Sequence, residues 1–210
     1  MKYYLSILFL LLFYSCNSLS RHEATIISKH NYLKDFPTYS VDSLVNVVIE
    51  IPAGCNQKWE TNKETGYLEW EKINQDSLRM IDYLPYPANY GFVPQTLSDK
   101  QDGGDNDPLD VFVFGSRIER GKVVQTRIIG VIEMLDNGEH DDKLIAIPSS
   151  THWKNIKSLS ELEKDYPGVL DILTTWLSNY KGRNKIKVTS VKDEQHARKI
   201  LKSNFTEKQL

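Results

Sequence analysis

The chain has 210 residues, 40% of them hydrophobic and 26% charged, which suits one globular core with a short appendage. A formal net charge of -2, from 28 acidic and 26 basic residues, excludes the strongly basic surface of a non-specific nucleic-acid binder, so an anionic substrate would need a local cluster of cations. Two cysteines, Cys16 and Cys55, stand in unlike contexts and exclude a disulfide framework.

Residues 1–15 have the shape of a signal peptide: Lys2, an apolar run from Leu5 to Phe13, then Tyr14 and Ser15 ahead of Cys16. The run is too short to cross a bilayer, which takes about 20 apolar residues. A small residue directly before a cysteine resembles the lipobox of bacterial lipoproteins, although Phe13 and Tyr14 depart from its usual residues. The expectation is an exported protein, anchored to a membrane only through lipid on Cys16 and facing the periplasm or exterior. The alternatives are a plain cleaved secretion signal and a cytoplasmic protein. Residues 16–40 are polar, without an apolar period, and predict a flexible tether; the domain then occupies 41–210.

Within that domain, stretches rich in β-branched residues predict strands at Leu44–Ile51, Leu109–Phe114, Val123–Met134, Leu144–Ile147 and Ile186–Val191. Gly, Asn and Asp clusters separate them, with no regular alternation of helices, which favours a closed or nearly closed antiparallel barrel. Two helices follow. The first is announced by Asp165 and Pro167 and carries Val169, Ile172, Leu173, Trp176, Leu177 and Tyr180 at spacings of three and four; the second runs from about Asp193 to Phe205.

The densest chemical signal is Gly103-Gly104-Asp105-Asn106-Asp107-Pro108-Leu109-Asp110 before a strand. Asp105 and Asp107 share a side of an extended stretch, and a turn at Pro108 brings Asp110 round to them. Clustered carboxylates repel one another unless cations lie between them, which points to divalent metal. An ordinary surface turn is built from the same residues and stays open on this segment alone. A calcium-binding EF-hand would want Gly at the loop's sixth position, which is Asp110 here. Asp136 and Asp141, in the loop after the long strand, bring the count to five carboxylates, and all-oxygen ligation selects magnesium or manganese over zinc. Lys58, Arg79, Tyr180 and Lys181 are individually unremarkable.

Taken in order, VVIEIP (Val47 to Pro52) with Lys58 and Glu60, YPANYGF (Tyr86 to Phe92), the Asp105-to-Val111 signature, GVIEMLD with Asp141 and Lys143, and Tyr180-Lys181 resemble a family I inorganic pyrophosphatase. The resemblance implies an α+β, mainly β fold: a five-stranded OB-like barrel with helices packed outside. It implies hydrolysis of pyrophosphate to two phosphates with Mg²⁺, for which Mn²⁺ would substitute. Asp105, Asp110, Asp136 and Asp141 would be metal ligands. Asp107 would orient and deprotonate the attacking water, with help from Glu50. Lys58, Arg79, Lys143, Tyr90 and Tyr180 would bind phosphoryl groups, with Lys181 close by. Asn137 stands where some relatives carry a further acid. A homo-oligomer is compatible with the sequence. The rival readings are an exported binding lipoprotein that keeps the fold without turnover, and a phosphatase acting on another small phosphate ester.

Overall fold

The protein is described here from a computed structural model covering residues 24–100 and 103–206. The signal-like segment and Cys16 lie outside the described residues.

The strands are β1 (Ile26–Ile27), β2 (Val45–Ile51), β3 (Trp59–Thr61), β4 (Leu68–Trp70), β5 (Lys72–Asn74), β6 (Ser77–Leu78), β7 (Asn89–Phe92), β8 (Asp110–Val113), β9 (Val123–Asp136), β10 (Glu139–His140), β11 (Lys143–Pro148) and β12 (Ile186–Asp193); the helices are α1 (Leu159–Asp165), α2 (Val169–Asn179) and α3 (Glu194–Ser203). Five strands close into a ring in the order β9-β11-β8-β7-β2, because β2 also pairs with the first part of β9. The second part of β9 carries β12 on its free side, and β10 folds back on its end. β2 and β11 are buried along their whole length, on both faces, which is why their sequences read as largely apolar, β-branched-rich runs. Val45, Val47 and Ile49 of β2 join one core with Ala197 and Leu201 of α3, whereas Val48 and Ile51 join another with Trp176 and Leu177 of α2. A fully buried Val or Ile contributes about 1.5–3 kcal/mol, so β2, buried along its whole length, is a large share of the ring's stability.

The predicted ring is present, but it is not wholly antiparallel. β8 and β11 run parallel, with Lys143 opposite Asp110 and Ala146 opposite Val113. Backbones approach very closely where β2 crosses β7: a Cβ on Gly91 would stand 1.8 Å from the Val48 carbonyl oxygen, so no other residue fits there.

A tether reaching Ser40 is not what the structure contains. β1 pairs with β4, Tyr32 is 2% exposed, and the Thr38 hydroxyl donates to the Pro94 carbonyl oxygen at 2.8 Å. Four irregularly spaced side chains, Ile27, Tyr32, Leu33 and Phe36, reach the main core and hold this polar segment on the domain. The late helices number three among the described residues, because the short α1 precedes the two expected. Its N-cap is Ser158, whose hydroxyl accepts the Glu161 N–H. On α2 the packed residues are Leu170, Leu173, Trp176 and Leu177, while Ile172, placed on the packing stripe from its spacing, is 61% exposed.

Candidate active site

The loops at one end of the ring enclose a cleft of about 380 Å³ whose walls carry Glu50, Lys58, Glu60, Lys63, Tyr90, Asp105, Asp107, Asp110, Asp136, Asp141, Lys143, Tyr180 and Lys181. All predicted site residues but Arg79 therefore meet in one place. Each arrives there for a local reason.

Glu50 is the one charged residue of β2, at a shift of register where Ile49 faces Gly91 and Ile51 faces Tyr90. This β-bulge re-aims the side chain into the cleft. Glu50 is only 6% exposed, and burial pushes its carboxyl up to about 8, against the opposing effects of Lys58 and a 2.7 Å hydrogen bond from the Thr61 hydroxyl. Tyr90 follows Asn89, which is wholly buried and fully bonded. Asn89 Oδ1 accepts from the Ala53 and Ile118 N–H groups, and its amide donates to the Val113 and Ser116 carbonyl oxygens, at 2.7–3.1 Å. That brace fixes the start of β7 and with it the Tyr90 ring, over which the Lys58 and Lys143 ammonium groups lie 5.5 and 6.0 Å from the centroid.

The aspartate loop is a turn, not the extended stretch that spacing suggested. Asn106 takes φ 69°, and the Asp107 N–H donates to Asp105 Oδ1 at 3.0 Å. Burial raises Asp105 to about 6 and also raises Asp110. Asp110 opens β8 directly beside Lys143 at the start of β11, and Lys143 pairs with both Asp110 and Asp141. Burial alone would lower the Lys143 pKa, but those two carboxylates outweigh it and hold the ammonium well above the usual lysine range. Asp136 is placed by a tight hairpin whose central residues, Asn137 and Gly138, have φ of 50° and 96°, as a type I′ turn requires. Lys181 reaches back to pair with Asp136.

Tyr180 caps the C-terminus of α2, its ring stacked on Trp176 at 4.3 Å and 7°. The Trp176 indole N–H donates to the Leu84 carbonyl oxygen at 2.8 Å, which ties this end of the helix to the loop before Tyr86. Burial raises the pKa of both Tyr90 and Tyr180, so each phenol stays protonated near neutral pH and is a hydrogen-bond donor. Arg79 lies apart. Its guanidinium donates to both Glu71 oxygens at 2.7 and 2.8 Å, and it lines a neighbouring depression with Tyr180, Lys181 and Lys185.

Sequence reasoning missed Lys63, which pairs with Asp107, and Thr61, which bonds Glu50; Thr61 ends the three-residue strand β3 and Lys63 lies in the polar turn after it, neither of which carries a periodic signal. Glu60 was part of the motif without a role, and it pairs with Lys58 at 3.0 Å. Asp105, Asp110 and Asp141 also face a second depression of about 270 Å³, lined further by Asp99, His140 and Asp142. Among the described residues no lysine or arginine lines it, so an anion finds no cationic partner there, unlike in the first cleft.

The donors of that first cleft are carboxylates, with no histidine or cysteine among the described residues that line it, which fits a hard cation. Burial already disfavours the charged forms of Glu50, Asp105 and Asp110, and a cation removes that cost. Among the described residues no three such side chains form a ready metal-binding group, and Asp110, Asp136 and Asp141 are each paired with a lysine. In its chemistry the donor set fits a hard cation.

The family model described as inorganic pyrophosphatase matches residues 47–209. The chain is 36% identical over 168 residues to an inorganic pyrophosphatase of Campylobacter jejuni, covering 77% of this chain and 90% of that one. It is 34% identical over 164 residues to the inorganic pyrophosphatase of Mus musculus, covering 70% of this chain and 56% of the mouse protein. Among solved structures it resembles an N-terminally truncated vacuolar soluble pyrophosphatase of Trypanosoma cruzi in complex with PPi, with a TM-score of 0.76 and 25% identity over 81% of this chain and 75% of that one. With a match over most of its length, and with the order of motifs carried on one closed ring, the chain belongs to the inorganic pyrophosphatase family.

Proposed function

We infer that this chain hydrolyses inorganic pyrophosphate to two phosphates with magnesium as its working metal. The observation that carries the reading is the meeting of five aspartates, Glu50 and four lysines in one cleft. Asp105, Asp110, Asp136 and Asp141 would hold the metal, which when bound supplies positive charge that acidifies nearby water and offsets charge on phosphate oxygens. The chain's own residues do the rest. Asp107 takes a proton from the attacking water, whose oxygen bonds to one phosphorus as the bridging P–O bond breaks and the second phosphate leaves with that electron pair. Lys58, Lys143 and Lys181 offset the charge gathering on the leaving group, and the Tyr90 and Tyr180 phenols donate to phosphoryl oxygens. Arg79 would join them only by leaving Glu71. Phosphate release from pyrophosphate with and without magnesium tests the reading. Binding without release would favour a protein that keeps the fold and lacks turnover.

Melting temperature should rise with added magnesium, because metal binds the assembled carboxylates and not the dispersed ones of the unfolded chain. At a hundredfold excess over Kd the gain is about 2.7 kcal/mol, or roughly 5–10 °C at about 2–4 °C per kcal/mol for a domain of this size. A flat melting temperature up to millimolar magnesium would show that the four metal-binding aspartates do not form one site.

For location, the support is the Lys2-to-Cys16 sequence pattern. We infer export and attachment through lipid on Cys16, with the packed segment from Thr25 onward leaving a shorter leash than composition suggested. Each buried CH₂ of an acyl chain adds about 0.8 kcal/mol, so two or three chains make attachment effectively permanent. Cys16→Ser should leave hydrolysis unchanged and move the protein out of the firmly membrane-bound fraction. Mass measurement of the N-terminal peptide decides it, since an intact Met1 on a cytoplasmic protein rules out export.

A further inference from the structure

Of the lysines lining the cleft among the described residues, Lys63 is the one without a part in the chemistry above. It stands in the turn between β3 and β4, and its ammonium reaches across to the aspartate loop. There it pairs with the Asp107 carboxylate and donates to the Asn106 carbonyl oxygen at 3.3 Å. One side chain thus grips two successive residues of a loop 43 residues further along the chain.

The turn that carries Lys63 is itself held firmly. Asn62 Oδ1 accepts from the Glu64 and Thr65 N–H groups at 2.9 and 3.1 Å, and the Gly66 N–H donates to the Asn62 carbonyl oxygen at 2.8 Å. Gly66 has φ 73°, in the left-handed region that glycine adopts without strain, and it lies against the Asn31 side chain. The Tyr32 N–H then donates to the Gly66 carbonyl oxygen at 2.8 Å. Asn31 and Tyr32 precede the start of the family match at residue 47. A segment whose composition suggested a tether therefore braces a turn that touches the reactive loop.

The Lys63–Asp107 pair contributes little to stability. Its side chains are 59% and 42% exposed, and in pairs this open solvent screening and side-chain entropy offset most of the attraction. Geometry is where it matters, because turnover responds to displacements that stability barely registers; a 1 Å misplacement can cost about 10²-fold.

We propose that Lys63 is a positioning residue for Asp107: the braced β3–β4 turn holds its ammonium against the aspartate loop and sets the direction in which the Asp107 carboxylate faces the cleft. This rests on the role given to Asp107 above. The test is steady-state hydrolysis of pyrophosphate at saturating magnesium, with thermal unfolding alongside, for the wild type, Lys63→Ala, Lys63→Arg, Asp107→Asn and the Lys63→Ala/Asp107→Asn double variant. Lys63→Ala should lower kcat about tenfold, well within the cost of a 1 Å displacement, with KM and melting temperature unchanged. Lys63→Arg should recover most of the loss. In the Asp107→Asn background the same change should cost nothing further, since there is no base left to aim. An unchanged kcat in Lys63→Ala overturns the proposal. So does a raised KM at normal kcat, which would make Lys63 a phosphate ligand. Equal losses from Lys63→Ala in both backgrounds overturn the coupling to Asp107 while leaving the base in place, whereas a fully active Asp107→Asn removes the base assignment itself.

Discussion

Asp107→Asn is expected to lower turnover by about 10²–10⁴-fold, the range for losing a general base, with the fold intact. Asparagine has nearly the same shape and its carbonyl oxygen still accepts from Lys63, so the loop contacts survive. What disappears is the capacity to take a proton. Asp107 is 42% exposed and its ion pair with Lys63 is a surface pair, so little stability depends on it. Turnover should therefore collapse at an unchanged melting temperature, with kcat and kcat/KM falling together. Rate measurements paired with thermal unfolding decide the matter, and near-normal rates on a normally folded variant would remove Asp107 from the chemistry.

Lys143→Ala should damage both stability and activity. The lysine is 4% exposed and lies between Asp110 and Asp141, themselves 19% and 14% exposed. Deleting it leaves two nearly buried carboxylates without their cation, and breaking a buried pair from one side typically costs about 3–5 kcal/mol. At about 2–4 °C per kcal/mol the melting temperature without metal should fall by roughly 10 °C. Magnesium should return part of that loss by supplying the missing positive charge. Turnover should drop about 10²-fold or more even with metal, as for other losses of a charge-stabilising donor. An unchanged metal-free melting temperature would mean that the lysine is not what holds these carboxylates.

That pair also marks how far the sequence could be read. The β-branched runs of β2, β8, β9 and β11 stood out because these ring strands are largely apolar, and that of β12, which lies beside the ring, through its Ile and Val residues. The ring strand β7, with the sequence NYGF, has no β-branched residue and was missed. The aspartates stood out because so many acids so close together need a reason. Strand partnership was not legible. Nothing in Leu144–Ile147 says that it will lie parallel to Val111–Val113, yet that register is what sets Lys143 beside Asp110. The short strands β3 to β6 were missed because three-residue segments such as Lys72–Asn74, exposed throughout, carry no alternation to detect. The segment around Tyr32 was mistaken for a tether because a few side chains without a regular period suffice to bind a polar stretch to a core. Lys63 was invisible for a related reason: its partners come from a loop far along the chain, and a lysine in a polar turn resembles any other.

Closure of the ring has a kinetic consequence. The contact between the Thr126 hydroxyl and the Val45 carbonyl oxygen, at 3.0 Å, spans 81 residues, and the β2–β9 ladder around it cannot form until that length of chain has been brought back on itself. Pairings so distant in sequence put folding on a millisecond-to-second scale. Until they form, Val45–Ile51, with one charge in seven residues and no proline, is an open strand edge of the kind that pairs with copies of itself. At high chain concentration, yield on refolding should therefore depend on how quickly β2 finds β9.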